Sequence, residues 1–158
     1  GIDHLIFLIF TSIIAYLAIK KITPISIFIV STIIGSFFSL IHIELPMLEL
    51  LIIFSVLLLG LFFFLYKNFS LNTFIYPFII FGLMHGNAYG NKIIESPFSA
   101  QFSYVIGFII IQILICLLSY FTAKLIFPDN SNNSNLKKPY LLGSLNIFAG
   151  FILLVNYF

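Results

Sequence analysis

Three histidines and five acidic residues are the side chains of this sequence best suited to binding a cation. Asp3 and His4 are adjacent, His85 stands in a glycine-rich stretch, and Glu49 follows Pro46 by three residues. Imidazole and carboxylate groups together are ligands for divalent first-row metals such as nickel, cobalt, copper and zinc. These residue types therefore indicate a divalent-metal site, provided that the fold brings them together.

The composition decides what kind of fold must do this. Of the 158 residues, 61% are hydrophobic and only 8% are charged, whereas a soluble domain carries roughly 25% charged residues. The few charges cannot cover a water-facing surface, so we expect an integral membrane protein whose first partner is the lipid bilayer. A net charge of +2 with dispersed lysines gives no reason to expect nucleic acid as a partner.

Apolar blocks of near-membrane length run along the whole chain. A helical span needs about 20 residues, and only helices and closed barrels satisfy the backbone in lipid. The blocks lack the strict alternation of barrel strands, and a polar run over 128–138 predicts a loop. We therefore expect an all-α bundle of about six transmembrane helices in one domain over 1–158. The predicted spans are 5–19, 22–41, 47–66, 71–88, 98–127 and 139–157.

The lysines predict the orientation of these spans. With six spans, Lys92 alone lies on one side, and the other six lysines lie with the first, third and fifth loops. Because lysine-rich loops stay in the cytoplasm, both termini are expected in the periplasm of a bacterial inner membrane. The six lysines are Lys20, Lys21, Lys67, Lys124, Lys137 and Lys138.

This topology places nearly all of the metal-binding side chains on the outer face of the membrane. An ionisable group in a membrane segment costs about 2.5–3.5 kcal/mol on insertion scales and suggests function. Asp3 and His4 are about 100° apart on a helix, so one would bind a metal while the other orients it. A polar pair that merely ends a helix is the alternative. The residues that converge are Asp3, His4, His42, Glu44, Glu49, His85 and Glu95.

His85 lies among glycines spaced four residues apart. Gly82, Gly86 and Gly90 predict a smooth stripe that lets another helix approach closely. Tyr89 is four residues after His85 and shares its side of the helix. His85 is expected to face a functional crevice, the alternative being a hydrogen bond to a neighbouring backbone. For Glu49 the alternative is a helix-start carboxylate.

Motifs of catalysis are missing from the sequence. It has no Gly-x-Ser-x-Gly elbow, no His-Glu-x-x-His zinc helix and no phosphate-binding loop. We therefore expect a protein that is not an enzyme and does not itself use ATP. A transport route would need polar residues inside the membrane, and the candidates are few: Ser55, Asn87, Ser103, Gln112 and Asn146.

Four segments, in order along the chain, resemble the HupE/UreJ family of nickel and cobalt permeases. Asp3 and His4 match the Gly-x-Asp-His signature of helix 1. The segment 45–60, with Pro46, Glu49 and Ser55, is similar to the family's helix 3 motif. His85 opens a His-Gly-x-Ala motif, and 104–108 resembles Tyr-x-x-Gly-Phe of helix 5.

The sequence departs from the family pattern at several positions. Tyr89 stands where the family has a second histidine, Lys92 replaces an acid, and a helix 5 histidine is missing, with Gln112 nearby. The resemblance implies that Asp3, His4, Glu49 and His85 bind the metal, with His42, Glu44 and Tyr89 as further candidates.

The function that the resemblance implies is uptake of Ni²⁺, or next Co²⁺, as the transported ion, with no resident cofactor. The alternative is a membrane metal sensor, chaperone or assembly subunit that binds the ion without transporting it. The sequence leaves the oligomeric state open, a homo-oligomer included.

Overall fold

The apolar blocks fold as helices in a computed structural model of the chain, which describes residues 1–43, 45–68, 70–91, 93, 95–127 and 137–158. All regular structure in these ranges is helical. The bounds lie close to the predicted spans, with the largest differences at the start of the first helix and the end of the fourth. The helices are α1 Ile2–Ile19, α2 Thr23–Leu40, α3 Leu48–Leu65, α4 Leu71–Asn91, α5 Phe98–Ile126 and α6 Lys137–Tyr157.

Five of these helices are long and apolar enough to cross a membrane. Within the described ranges they are α1, α2, α3 with the 3₁₀ turn that follows it, α5 and α6. The helix outside this group is α4, whose sequence includes the polar residues His85 and Asn87. The expectation of an all-helical, membrane-type protein is thus confirmed.

The outer surface of the bundle is strongly apolar. Large apolar side chains such as Phe98, Leu118, Leu125 and Phe148 are more than half exposed. A water-soluble monomer rarely shows so much contiguous apolar surface. This exterior suits contact with lipid.

Helix α1 is the central element of the bundle. It packs against α2, α3, α5 and α6, and its Phe7 ring meets Phe81 of α4 at a centroid distance of 5.6 Å. Its buried residues include His4, Phe7, Thr11 and Ala15, spaced three or four apart. Such spacing places them along one side of the helix, so this side carries His4 into the interior.

The glycine stripe of α4 packs directly on α2, as its spacing predicts. A Cβ atom on Gly86 would overlap the backbone of Thr32, and one on Gly82 would lie 2.7 Å from the carbonyl oxygen of Phe28. Gly35 of α2 meets the backbone of Leu83 in the same way. The close approach fixes α4, and with it His85, against the rest of the bundle.

The connections bring the predicted polar residues to one end of the bundle. The start of α1, the start of α3 and the ends of α4 and α6 meet around Asp3, His4, Glu49 and Tyr157. At the opposite end, the Tyr16 hydroxyl donates to the Phe127 carbonyl at 2.9 Å and joins α1 to α5. Sequential helices therefore run up and down between the two ends.

Candidate metal centre

His4 and His85 meet inside the polar end of the bundle. Their rings lie edge to face with centroids 4.6 Å apart. His4 is 5% exposed and His85 is 1% exposed. Neutral imidazole is a good ligand for nickel, copper and zinc. The lone pairs lie in the ring planes, so two rings at this angle could share one cation only after one of them rotates.

Both ring nitrogens of His4 are buried without a hydrogen-bond partner among the described residues. Nδ1 nevertheless lies 2.9 Å from Oδ2 of Asp3, which is within ion-pair distance. The contact is therefore an electrostatic one. A buried polar atom normally has a partner. Nε2 of His4 has neither an ion pair nor a hydrogen bond in the described part of the chain, so it is the ring nitrogen open to a metal ion.

The environment of His85 fixes which of its nitrogens carries the proton. The Ser55 hydroxyl donates to the Ile52 carbonyl at 2.6 Å and lies 3.0 Å from Nε2 of His85. A hydroxyl has one proton, so Ser55 must accept here and Nε2 of His85 must donate. The lone pair of neutral His85 then resides on Nδ1.

Aromatic rings hold the two imidazoles in place. Phe7 lies 4.4 Å and Phe28 5.8 Å from His85, between ring centroids. Tyr89 lies 4.5 Å from His4 and 4.0 Å from Phe108. Tyr89, where the resemblance leads us to expect a second histidine, thus contacts His4 directly and connects it to α5.

A cavity of about 570 Å³ lies beside His4 and gives access to it. Three of the predicted metal-binding residues line it, Asp3, His4 and Glu49, whereas His85 lies behind His4 and is not part of the lining. Glu49 is exposed and Asp3 is 26% exposed. Two carboxylates therefore face the space through which a cation would reach the buried histidine.

Other predicted residues stand apart from this cavity. His42 is exposed, has a positive φ of 63° just beyond the end of α2, and is not part of the lining. Glu95 is exposed and also lies outside the lining. Glu44 and Lys92 lie outside the described residues, as does most of the loop predicted over 128–138.

No three His, Cys, Asp or Glu side chains within the described ranges are close enough together to hold a metal ion. The histidine pair would thus supply part of a coordination sphere. Water molecules would supply the remaining ligands, or the Asp3 and Glu49 carboxylates would supply them after moving toward the ion.

The predicted polar residues of the interior have different surroundings. Asn87 donates to the Ile43 carbonyl at 2.7 Å and accepts from the Leu45 amide at 3.2 Å, which fastens the connection between α2 and α3. Asn146 donates to the Val56 carbonyl at 2.7 Å and joins α6 to α3. Gln112 is buried against Thr32, whereas Ser103 is exposed.

Sequence reasoning missed a group of buried hydroxyls. Thr11 on α1 and Thr32 on α2 are fully buried, and the single hydroxyl proton of Ser36 on α2 is shared between the carbonyls of Thr32 and Gly86, at 2.9 and 3.0 Å. For the α2 hydroxyls a signal was present in the spacing, because Ser31, Gly35 and Ser39 form a small-residue stripe on α2 that matches the glycines of α4. Thr11 is seven residues after His4, which is about two helical turns.

The fold and the site together define a class: an all-helical, membrane-type protein with buried histidines beside a carboxylate-lined cavity. The family model described as HupE / UreJ protein matches residues 1–153. The chain therefore belongs to the HupE/UreJ family, which is associated with nickel and cobalt transport rather than with catalysis. No curated protein and no solved structure matches the chain.

Proposed function

We propose that this chain is a permease that takes up a divalent transition-metal ion, nickel first and cobalt next, across a bacterial inner membrane. The observation that carries the proposal is the buried ring of His4, which is edge to face with His85, contacts the Asp3 carboxylate through Nδ1, and leaves Nε2 without a partner within the described part of the chain. In this proposal α4 crosses the membrane as a sixth span, although its mean hydropathy is below that of the other five helices. Both termini then face the periplasm.

The first step is capture of the ion at the cavity beside α1. Asp3 and Glu49 line this cavity, and carboxylates that line a cleft raise the local concentration of cations. The ion loses part of its water here and gains the imidazole of His4. Asp3 remains beside His4 and balances the positive charge of the bound ion.

The second step transfers the ion to the histidine pair. His85 offers Nδ1, because Ser55 holds its Nε2–H. Neutral histidines and water leave the ion weakly held compared with a closed site of thiolates or carboxylates, so that release remains feasible. Asp3 and Glu49 serve charge compensation in this scheme, and His42, Glu44 and Tyr89 are secondary candidates as ligands.

The membrane potential supplies the driving force. An inside-negative potential contributes about 2.3 kcal/mol per charge per 100 mV, which is roughly 4.6 kcal/mol for a divalent ion. Uptake therefore needs no ATP, in keeping with a sequence that has no phosphate-binding loop.

A second function is favoured by one specific observation. Phe7 and Phe28 pack closely against His85, which would suit a protein that binds a metal and holds it. A sensor, chaperone or assembly subunit would bind the ion at the same histidines but would not pass it through the membrane.

Uptake of radiolabelled nickel into proteoliposomes separates the two functions. Vesicles with an inside-negative potassium diffusion potential and the purified protein are compared with protein-free vesicles, and cobalt is added as a competitor. A permease accumulates nickel with saturation, and cobalt reduces the rate. If folded protein binds nickel in detergent but the vesicles accumulate none, the permease proposal is wrong and the binding function replaces it.

A further inference from the structure

Four buried side-chain atoms in the described part of the chain have no hydrogen-bond partner. Two are the ring nitrogens of His4, and the third is the hydroxyl oxygen of Thr11. The fourth is Oδ1 of Asn146, which lies on α6 and whose amide nitrogen already donates to Val56. Three of the four therefore belong to a single helix, α1.

Thr11 and His4 lie on the same side of α1. Seven residues are about two turns of helix, which returns a side chain to within about 20° of its starting direction. The same seven residues advance roughly 10.5 Å along the helix axis. Thr11 is 0% exposed. Its hydroxyl thus stands directly below His4, toward the middle of the bundle.

Other buried hydroxyls in these helices make a hydrogen bond to their own helix that Thr11 lacks. A helical serine or threonine commonly donates to a carbonyl three or four residues earlier. Ser12 donates to Leu8, Thr32 to Ile29, Ser36 to Thr32 and Ser55 to Ile52, at 2.6–2.9 Å. Thr11 makes no such bond, although a buried hydroxyl without a partner is costly. Its bonding capacity is therefore unused in the described part of the chain, two helical turns inward from His4.

We propose that the Thr11 hydroxyl oxygen is the next ligand on the ion's route inward from the His4 and His85 pair. This inference rests on the proposed permease function and names a residue of its inner path. A neutral hydroxyl is a weaker ligand for nickel than imidazole. A site that passes ions must bind them well enough to admit them and weakly enough to release them. Thr11 would hold the ion briefly, through one oxygen and the waters it retains.

Thr11→Val tests the proposal because valine keeps the shape of threonine and removes only the oxygen. Thr11→Ser keeps the oxygen and removes a methyl group. Ser12→Ala is the matched control, since Ser12 is the neighbouring buried hydroxyl and already has a partner. Nickel affinity is measured by calorimetry in detergent, and nickel uptake is measured in proteoliposomes.

We expect Thr11→Val to bind nickel with the affinity of the original protein. Its uptake rate should fall about tenfold, which is the size of effect seen when a group that supports a metal site is removed. Thr11→Ser should recover most of the rate, and Ser12→Ala should retain it. Uptake by Thr11→Val at the original rate would overturn the inference, and so would loss of nickel binding, which would mean that Thr11 shapes the outer site.

The failure of this inference can be told apart from failure of the proposed function. If the original protein binds nickel but transports none, the permease function itself is wrong. If it transports and Thr11→Val transports equally well, only the role of Thr11 is wrong. Should Thr11→Val fail to fold, Thr11→Ala takes its place with the same two expected results.

Discussion

Ser55 on α3 accepts a hydrogen bond from His85 on α4, with its oxygen 3.0 Å from Nε2. The direction follows from the Ser55 proton, which is donated to the Ile52 carbonyl at 2.6 Å. One helix thereby sets the tautomer of a histidine on another. The partner of a metal-binding histidine controls which nitrogen the ring offers, so Ser55 is a positioning residue for His85.

Ser55→Ala is expected to weaken nickel binding. Without the serine oxygen, Nε2–H of His85 loses its acceptor and the ring is no longer fixed in orientation or tautomer. Loss of such a supporting group typically lowers metal affinity 10–100-fold, and we expect about tenfold by calorimetry. Ser103→Ala is the control, because Ser103 is exposed and donates to the Ser99 carbonyl on its own helix. Equal affinities of the two variants would contradict the assigned role.

Gly86→Ala is expected to destabilise the bundle. Its new Cβ atom would overlap the backbone of Thr32, which cannot rotate away as a side chain can. Overpacking of this kind costs about 1–3 kcal/mol, measured as the change in free energy of unfolding by circular dichroism in detergent.

Gly107→Ala is the matched control for this substitution. Beyond the adjoining helical backbone, no atom of the described residues lies within 4 Å of a Cβ atom added there, and alanine is the better helix former by about 1 kcal/mol. It should keep or raise the stability. A loss of stability as large as that of Gly86→Ala would show that close packing of α4 on α2 is not the cause.

The helices and their close packing were largely predictable from the sequence. The length of the apolar blocks sets the helix bounds to within a few residues, since the backbone of such a segment must bond to itself. The spacing of Gly82, Gly86 and Gly90 also predicts a smooth face, and that prediction is confirmed. Both features depend on local sequence alone.

The pairing of side chains across helices was less predictable. His4 and His85 are 81 positions apart, and their contact depends on the relative height and rotation of α1 and α4. The role of Ser55 depends on its hydroxyl proton, which is donated to the Ile52 carbonyl. The spacing of residues in the sequence does not reveal this bond. Thr11 went unrecognised because a threonine in an apolar block looks like any other helical residue in the sequence. Only the structure shows that its hydroxyl has no hydrogen-bond partner among the described residues.

Glu49→Gln is expected to slow capture of the ion and not its passage. Glu49 is exposed and lines the cavity beside His4, so its charge acts on the approaching cation through water. The KM for nickel uptake should rise roughly three- to tenfold with little change in the maximal rate.

Salt separates this electrostatic effect from a ligand role of Glu49. The difference between Glu49→Gln and the original protein should shrink as added salt shortens the Debye length. Glu95→Gln, an exposed acid outside the cavity lining, is the control and should leave KM unchanged. A fall in maximal rate that persists at high salt would instead make Glu49 a ligand of the ion.

Nickel uptake by three histidine variants tests whether the buried pair of His4 and His85 carries a divalent ion across the membrane. His4→Ala and His85→Ala are compared with His42→Ala, which removes an exposed histidine outside the cavity lining. The account predicts that His42→Ala takes up nickel in proteoliposomes like the original protein, while the other two, folded and inserted, lose uptake by at least about tenfold. Uptake at the original rate by folded His4→Ala or His85→Ala would contradict it.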